Sequence, residues 1–272
     1  MALSRTIPLI VLLVLVPFHT QAREVLFVDA AFCPLVCNRQ QTGKDGFVVD
    51  IIRDALEQSG HQLVFRTEPF QRALTLVRTG QADGLPAIYP NDAPDLLFGE
   101  SVIAKGENAF FVRTDSPWRY NGTQNWTELR IAIIDGYTFN HPEFDQYVAD
   151  VSKSRTGQVI RISGSNPYQR MLQMLISGRI DAILDDSVFI FYALSDLLKT
   201  HATNGELPIK NAGLLSEGQN VVAYSPVNPE SSAELIRIID PFIRKVYQSG
   251  KINDYIKPYG LEITEDHFQL IQ

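Results

Sequence analysis

The sequence predicts an α/β chain built as two similar lobes joined by a hinge of two crossover segments. Three observations predict this. Strand and helix signals alternate from residue 24 onward; the stretch Pro69–Asp83 recurs without gaps as Pro167–Asp181; and 272 residues with 45% apolar and 20% charged side chains suit one large globular unit or two modest ones.

Taken in order, Glu24–Asp29 reads as a short apolar strand. Gly46–Ser59 carries helical spacing at Val48, Ile51, Ile52, Ala55 and Leu56 and stops at Gly60. His61–Thr67 alternates as a strand, and Pro69–Thr79 is helical, with Phe70, Ala73, Leu74 and Val77 on one stripe and Gly80 as its stop. This βαβα order implies a mostly parallel sheet covered by helices. In the echoed stretch the identities fall at Pro69/Pro167, Gln71/Gln169, Arg72/Arg170, Leu74/Leu172, Gly80/Gly178 and Asp83/Asp181. Each copy is a proline-started helix, a glycine stop and a strand beginning at aspartate, so a duplicated lobe explains both. Asn108–Arg113 reads as a strand, Thr114–Thr127 as a polar connection, and Leu129–Ile134 as the strand opening the second lobe. After the second copy come the polar stretch Thr200–Lys210, the strand Val221–Tyr224 and an amphipathic region Ser231–Ile256. Pro241 is expected to kink that region or restart it as a second helix. The expected division is 23–112 plus 215–272 for lobe 1 and 113–214 for lobe 2.

Residues 1–22 read as a secretory signal peptide: Arg5 is a positive leader, Ile7–Val16 is apolar apart from Pro8, and Thr20-Gln21-Ala22 places small residues where a signal peptidase cuts. The apolar run is about half the ~20 residues a membrane span needs. The product is therefore expected to be exported and soluble. In that oxidising space Cys33 and Cys37 are expected to form a small disulfide that shapes a loop. The histidines are scattered without ligand spacing, and no nucleophile elbow, phosphate loop or zinc-helix motif occurs, so neither metal nor cofactor is expected. A formal charge of −7 lacks the clustered cations a nucleic-acid binder needs.

Gly46-Phe-Val-Val-Asp-Ile51, Gly80-Gln-Ala-Asp83 and Gly178-Arg-Ile-Asp-Ala-Ile-Leu-Asp-Asp186 together resemble the family 3 solute-binding proteins that serve polar amino-acid ABC transporters. The resemblance covers Glu24 to about Leu261. It implies a periplasmic-binding-protein type II fold that closes on a ligand held between its lobes. It also implies site positions. Asp186 would hold a ligand ammonium, Gly136 and Thr138 would form a turn supporting a ligand carboxylate, and Phe32 would stack over the ligand, with Asp29 at another cleft position. Family members that bind α-amino acids carry an arginine shortly before a Phe-Ser-x-Pro-Tyr stretch. The corresponding segment here, Ala87–Phe98, is shorter and has none. Arg72 is a candidate replacement, and Tyr89 in the shortened segment is a candidate cleft wall or hydrogen-bond donor.

The resulting expectation is a non-enzymatic, monomeric periplasmic receptor for a small polar solute, an amino acid or amine-bearing relative, that partners an inner-membrane ABC permease. Alternatives are a ligand sensor feeding a chemoreceptor, and an exported dehydratase-type enzyme in which Asp29 or Asp186 protonates a leaving hydroxyl. Two acidic candidates without a sure arginine favour a ligand bearing an amine.

Overall fold

The structure is a computed structural model that describes residues 22–154, 158–200, 208–264 and 267–270. The expected leader, up to residue 21, and most of the polar stretch before Lys210 lie outside them.

In chain order the main elements are β1 (Glu24–Asp29), α1 (Arg39–Thr42), α2 (Phe47–Gln58), β2 (Gln62–Thr67), α3 (Phe70–Arg78), β3 (Gly84–Ile88), β4 (Leu97–Arg113) and β5 (Ile131–Ile134). They continue with α4 (Pro142–Ser154), β6 (Val159–Ile162), α5 (Pro167–Ile176), β7 (Ala182–Asp186), α6 (Ser187–Thr200), β8 (Ile209–Tyr224), α7 (Pro229–Gln248) and α8 (Ile252–Ile256). Eight strands form one sheet in the order β2-β1-β3-β8-β4-β7-β5-β6.

That order is two copies of one motif back to back. In the first lobe β1 pairs in parallel with β2 and β3; in the second, β5 pairs in parallel with β6 and β7. Each unit is closed by an antiparallel strand, β8 against β3 and β4 against β7. The repeated sequence explains why. The buried stripe of α3 is Phe70, Ala73, Leu74 and Val77, and that of α5 is Tyr168, Met171, Leu172 and Leu175, the same positions 98 residues on. Gly80 and Gly178 both take a φ of 71°, the left-handed turn that glycine enters without steric cost. Asp83 and Asp181 then do one job twice. Asp83 accepts from Leu26 N at 2.7 Å and from Arg23 at 2.9 Å, while Asp181 accepts from Arg130 N and from the Arg130 guanidinium, both at 2.8 Å. The backbone replies each time, Asp83 N to Leu26 O and Asp181 N to Arg130 O.

Period-2 alternation sends successive side chains to opposite faces of the sheet, and helices cover both faces. Val25 and Phe27 pack on the α2 and α7 side, whereas Val28 packs with the stripe of α3. In the second lobe Ile131 and Ile133 join Trp126, Phe144 and Val148, while Ala132 and Ile134 face Met171 and Leu172. Each fully buried Val, Ile, Leu, Phe or Met among them contributes about 1.5–3 kcal/mol of transfer free energy.

The two long strands β4 and β8 carry the chain between lobes, paired antiparallel from Leu97↔Tyr224 to Arg113↔Ile209. The sequence reading captured only one end of each. Helix α7 differs from expectation as well: it runs through Pro241 to Gln248 without restarting, and the break falls at Gly250, where φ is 73°. One reason is that Asp240, just before the proline, is anchored from outside the helix. Its carboxylate accepts from Glu100 N (2.6 Å) and Ser101 N (3.1 Å), and its carbonyl accepts from Ser101 Oγ (3.1 Å). The Cys33–Cys37 disulfide is formed, and the Phe32↔Val36 bridge closes the same loop.

Candidate functional site

In an open α/β sheet the ligand crevice lies outside the carboxyl ends of the parallel strands. Here those ends bring Asp29 (the last residue of β1), Tyr89 (just after β3), Gly136–Thr138 (after β5) and Asp185–Asp186 (the end of β7) to the space between the lobes. Two cavities lie there. The outer one, about 470 Å³, is walled by Thr67–Gln71 of the first lobe and by Asp135, Tyr137 and Ser163–Tyr168 of the second. The inner one, about 30 Å³, is lined by Phe32, Tyr89, Asp92, Asn108, Asp185 and Asp186 among others. The first volume falls within the range of small-molecule sites, and the second holds about one water. Phe70 and Tyr137 line both cavities and meet edge to face across the cleft, with ring centroids 5.0 Å apart.

Carboxyl groups dominate the chemistry. Asp186 is 4% exposed. Its Oδ1 accepts from Val188 N (3.0 Å), capping α6, and its Oδ2 faces Tyr89 Oη at 3.4 Å, longer than a usual O–H···O bond. Burial pushes this carboxyl up to about 7. Asp185 is 2% exposed and uses Oδ1 to accept from Asp186 N (2.8 Å); its Oδ2 is buried without a hydrogen-bond partner among the described residues. Asp29 is fully buried as well, with Oδ1 accepting from Ala30 N (2.8 Å) and the Ala87 backbone also acting on its carboxyl. Burial holds both well above the ordinary carboxylate range. Asp92 is pushed up to about 6 by burial, an effect its two bonds from Thr138 partly offset. No Lys, Arg or His lines either cavity among the described residues. Nor do the described residues hold a group of three or more His, Cys, Asp or Glu arranged for a metal ion. Dispersed buried carboxyls with unused oxygens, walled by aromatic rings, match an organic cation with several N–H donors.

Of the residues singled out from sequence, the structure brings Phe32, Tyr89 and Asp186 together on the inner cavity, Phe32 packing against Phe189 at 5.4 Å. Asp186 serves as a helix cap with one oxygen and as a cleft-facing acceptor with the other. Asp29, fully buried at the end of β1, lines neither cavity; its neighbour Ala30 lines the outer one. Gly136 takes a φ of 87°, where an added Cβ would run into Gln71 of the opposite lobe. Thr138 is engaged by Asp92 of the first lobe, through N (2.8 Å) and Oγ1 (2.6 Å). Arg72 is not brought in: its side chain is 68% exposed and pairs with Glu68 at 3.3 Å, one turn back on the helix entrance. Arg170, its echo, reaches Ser163 O.

Sequence reasoning missed Asp92, Asp185, Tyr137, Asn108 and the glycine pair of the crossing ladder. Gly106 of β4 sits opposite Gly218 of β8. A Cβ on Gly106 would strike Asp186 Oδ2 and Tyr89 Oη, and one on Gly218 would press on the Tyr89 ring and the Asn140 amide. The two absent side chains make the slot that Tyr89 occupies. A signal for Asp92 and Asp185 did exist: acidic residues adjoin the loop without its arginine and the acidic strand end.

Residues 25–262 match the family described as bacterial extracellular solute-binding proteins, family 3. A histidine kinase sensor domain with similarity to periplasmic binding proteins superposes with a TM-score of 0.67 at 17% identity, covering 88% of this chain and 96% of its own. An ancestral arginine-binding protein bound to arginine gives 0.66 at 17% identity, covering 89% and 99%. A triosephosphate isomerase of Malacoplasma penetrans (strain HF-2) is 22% identical over 191 residues, 67% of this chain and 70% of that one. That fold is a closed barrel of eight parallel strands. The sheet here is open, with β2 and β6 at its edges and two long antiparallel strands at its centre, so the likeness does not extend to the fold.

Proposed function

Because the chain belongs to the bacterial extracellular solute-binding proteins of family 3, we propose that it captures a small amine-bearing solute between its lobes and delivers it to an inner-membrane ABC permease. The observation that carries this reading is the set of carboxyls Asp92, Asp185 and Asp186 on the inner cavity of a cleft with no cationic side chain on its walls among the described residues. A bound ammonium or guanidinium supplies the missing partner, with its body in the outer cavity and its charged head past Phe70 and Tyr137. The arginine bound by the ancestral structural neighbour is a cation of this class. The protein works in the periplasm after loss of residues 1–22, as a monomer. The crossover strands β4 and β8, where Gly106 faces Gly218, hinge the lobe built on β1–β3 against the one built on β5–β7. A solute that touches both lobes binds the closed state better and shifts the population toward it by that difference.

The test is a thermal-shift screen of ligand-stripped protein against amines, amino acids and small organic acids. A ligand at ~100 times its dissociation constant adds roughly 2.7 kcal/mol, a rise of about 5–11 °C for a chain of this size. Stabilisation by amines supports the reading, and stabilisation by carboxylic acids alone overturns it. A second reading is favoured by the sensor-domain neighbour: the closed form reports to a kinase or chemoreceptor. Loss of labelled-amine uptake on deleting the gene separates permease delivery from sensing.

A further inference from the structure

Resting on the amine reading above, we propose that the solute carries an amine but no carboxylate, because the chain's own Asp92 fills the paired-donor seat of the Gly136–Thr138 turn. Thr138 N–H and Oγ1–H both donate to the same oxygen of Asp92, at 2.8 and 2.6 Å. Two donors converging on one oxygen from a tight turn are an oxyanion seat, and here the oxyanion arrives from the opposite lobe. The loop holding Asp92 is braced on both sides. Tyr89 is slotted between Gly106 and Gly218 and reaches Asp186, and Asn91 Nδ2 donates to Asn140 Oδ1 at 2.8 Å.

A solute carboxylate entering this cleft finds the seat taken. The Asn108 amide is spent on Ser216 Oγ at 3.1 Å, and the Tyr89 hydroxyl is turned to Asp186. Around the newcomer stand Asp185 and Asp186, which bring no cation to meet it. Arg72, the cation proposed from sequence, lies outside on the surface. An ammonium meets the reverse: the unpartnered Oδ2 of Asp185, on the wall of the inner cavity, accepts from it. The acidic residue in the shortened loop thus discriminates against α-amino acids and leaves amines as the ligand class.

Isothermal titration calorimetry on the exported protein with matched pairs tests this: lysine against cadaverine, ornithine against putrescine, arginine against agmatine. Within a pair the two molecules differ by one α-carboxylate. The amine is expected to bind at least about tenfold more tightly, the cost of leaving a carboxylate unpaired. Asp92→Ala frees Thr138 and is expected to shrink or reverse that preference. Asp92→Asn keeps an oxygen for Thr138 to bond, preserves the fold if the alanine variant does not, and is expected to give an intermediate preference. The proposal is overturned if the amino acid of each pair binds as tightly as its amine, or if the folded Asp92 variants leave the preference unchanged; in either case the amine reading still stands. If no member of any pair binds while a non-amine does, the amine reading fails and takes this proposal with it.

Discussion

Lowering the pH from 8 to 5.5 should weaken amine binding about 30-fold through Asp186 alone. Its carboxyl, raised by burial to about 7, is ionised in roughly nine molecules in ten at pH 8 and in about three in a hundred at pH 5.5. Only the ionised form attracts an ammonium strongly, so the observed affinity follows that fraction, a loss of about 2 kcal/mol. Asp92, raised to about 6, loses its charge over the same interval and deepens the loss. Pairing with the cation draws Asp186 back toward the usual carboxylate range, so binding at pH 7 must expel about half a proton. Titration calorimetry in two buffers of different ionisation enthalpy counts that proton directly. A binding constant that stays flat between pH 8 and 5.5, with no buffer dependence of the heat, would refute the claim that a buried cleft carboxyl meets the amine.

Three more outcomes follow from the same geometry. Asp186→Asn keeps a cap acceptor for Val188 N but removes the charge, and should cost amine affinity roughly 10- to 150-fold, the worth of a charge-assisted bond, while abolishing most of the pH dependence; equilibrium titration checks both. In ligand-free protein, Asp92 and Asp186 bind protons more tightly folded than their ordinary value of 3.8. Their stabilising contribution is complete below that value and is lost as pH rises through about 6 and 7, so the melting temperature should climb from pH 7.5 to 5.5; a fall would contradict the burial argument. Gly106→Ala places a methyl on Asp186 and the Tyr89 hydroxyl, and should lose binding with a stability cost of about 1–3 kcal/mol and an unchanged far-ultraviolet spectrum.

The fold was largely legible because the duplication is written at buried positions. The stripe Phe70, Ala73, Leu74, Val77 and its echo Tyr168, Met171, Leu172, Leu175 pack alike, and the two glycine stops and two aspartates serve the same bonds in each lobe. The early halves of β4 and β8 were not legible. They lie where the chain leaves one lobe for the other, their pairing shifts register between Phe98 and Ala104, and Gly99, Gly106, Gly213 and Gly218 interrupt the alternation that marks a strand. The site was legible where a residue type is tied to its position in an element, as with Asp186 at the strand end and Phe32 by the disulfide loop. The acidic loop held a signal for Asp92, but its role was not legible, because it depends on Thr138 approaching from the other lobe. Arg72 misled for the converse reason: its charge suggested a ligand, but one turn of helix geometry hands it to Glu68.

The most direct measurement is a crystal structure of the protein with the tightest-binding amine from the screen. The ammonium should sit about 3 Å from Asp186 Oδ2 or Asp185 Oδ2, touched by residues of both lobes, with Asp92 still bonded to Thr138. An amine found outside the cleft, or held by one lobe alone, would contradict the account.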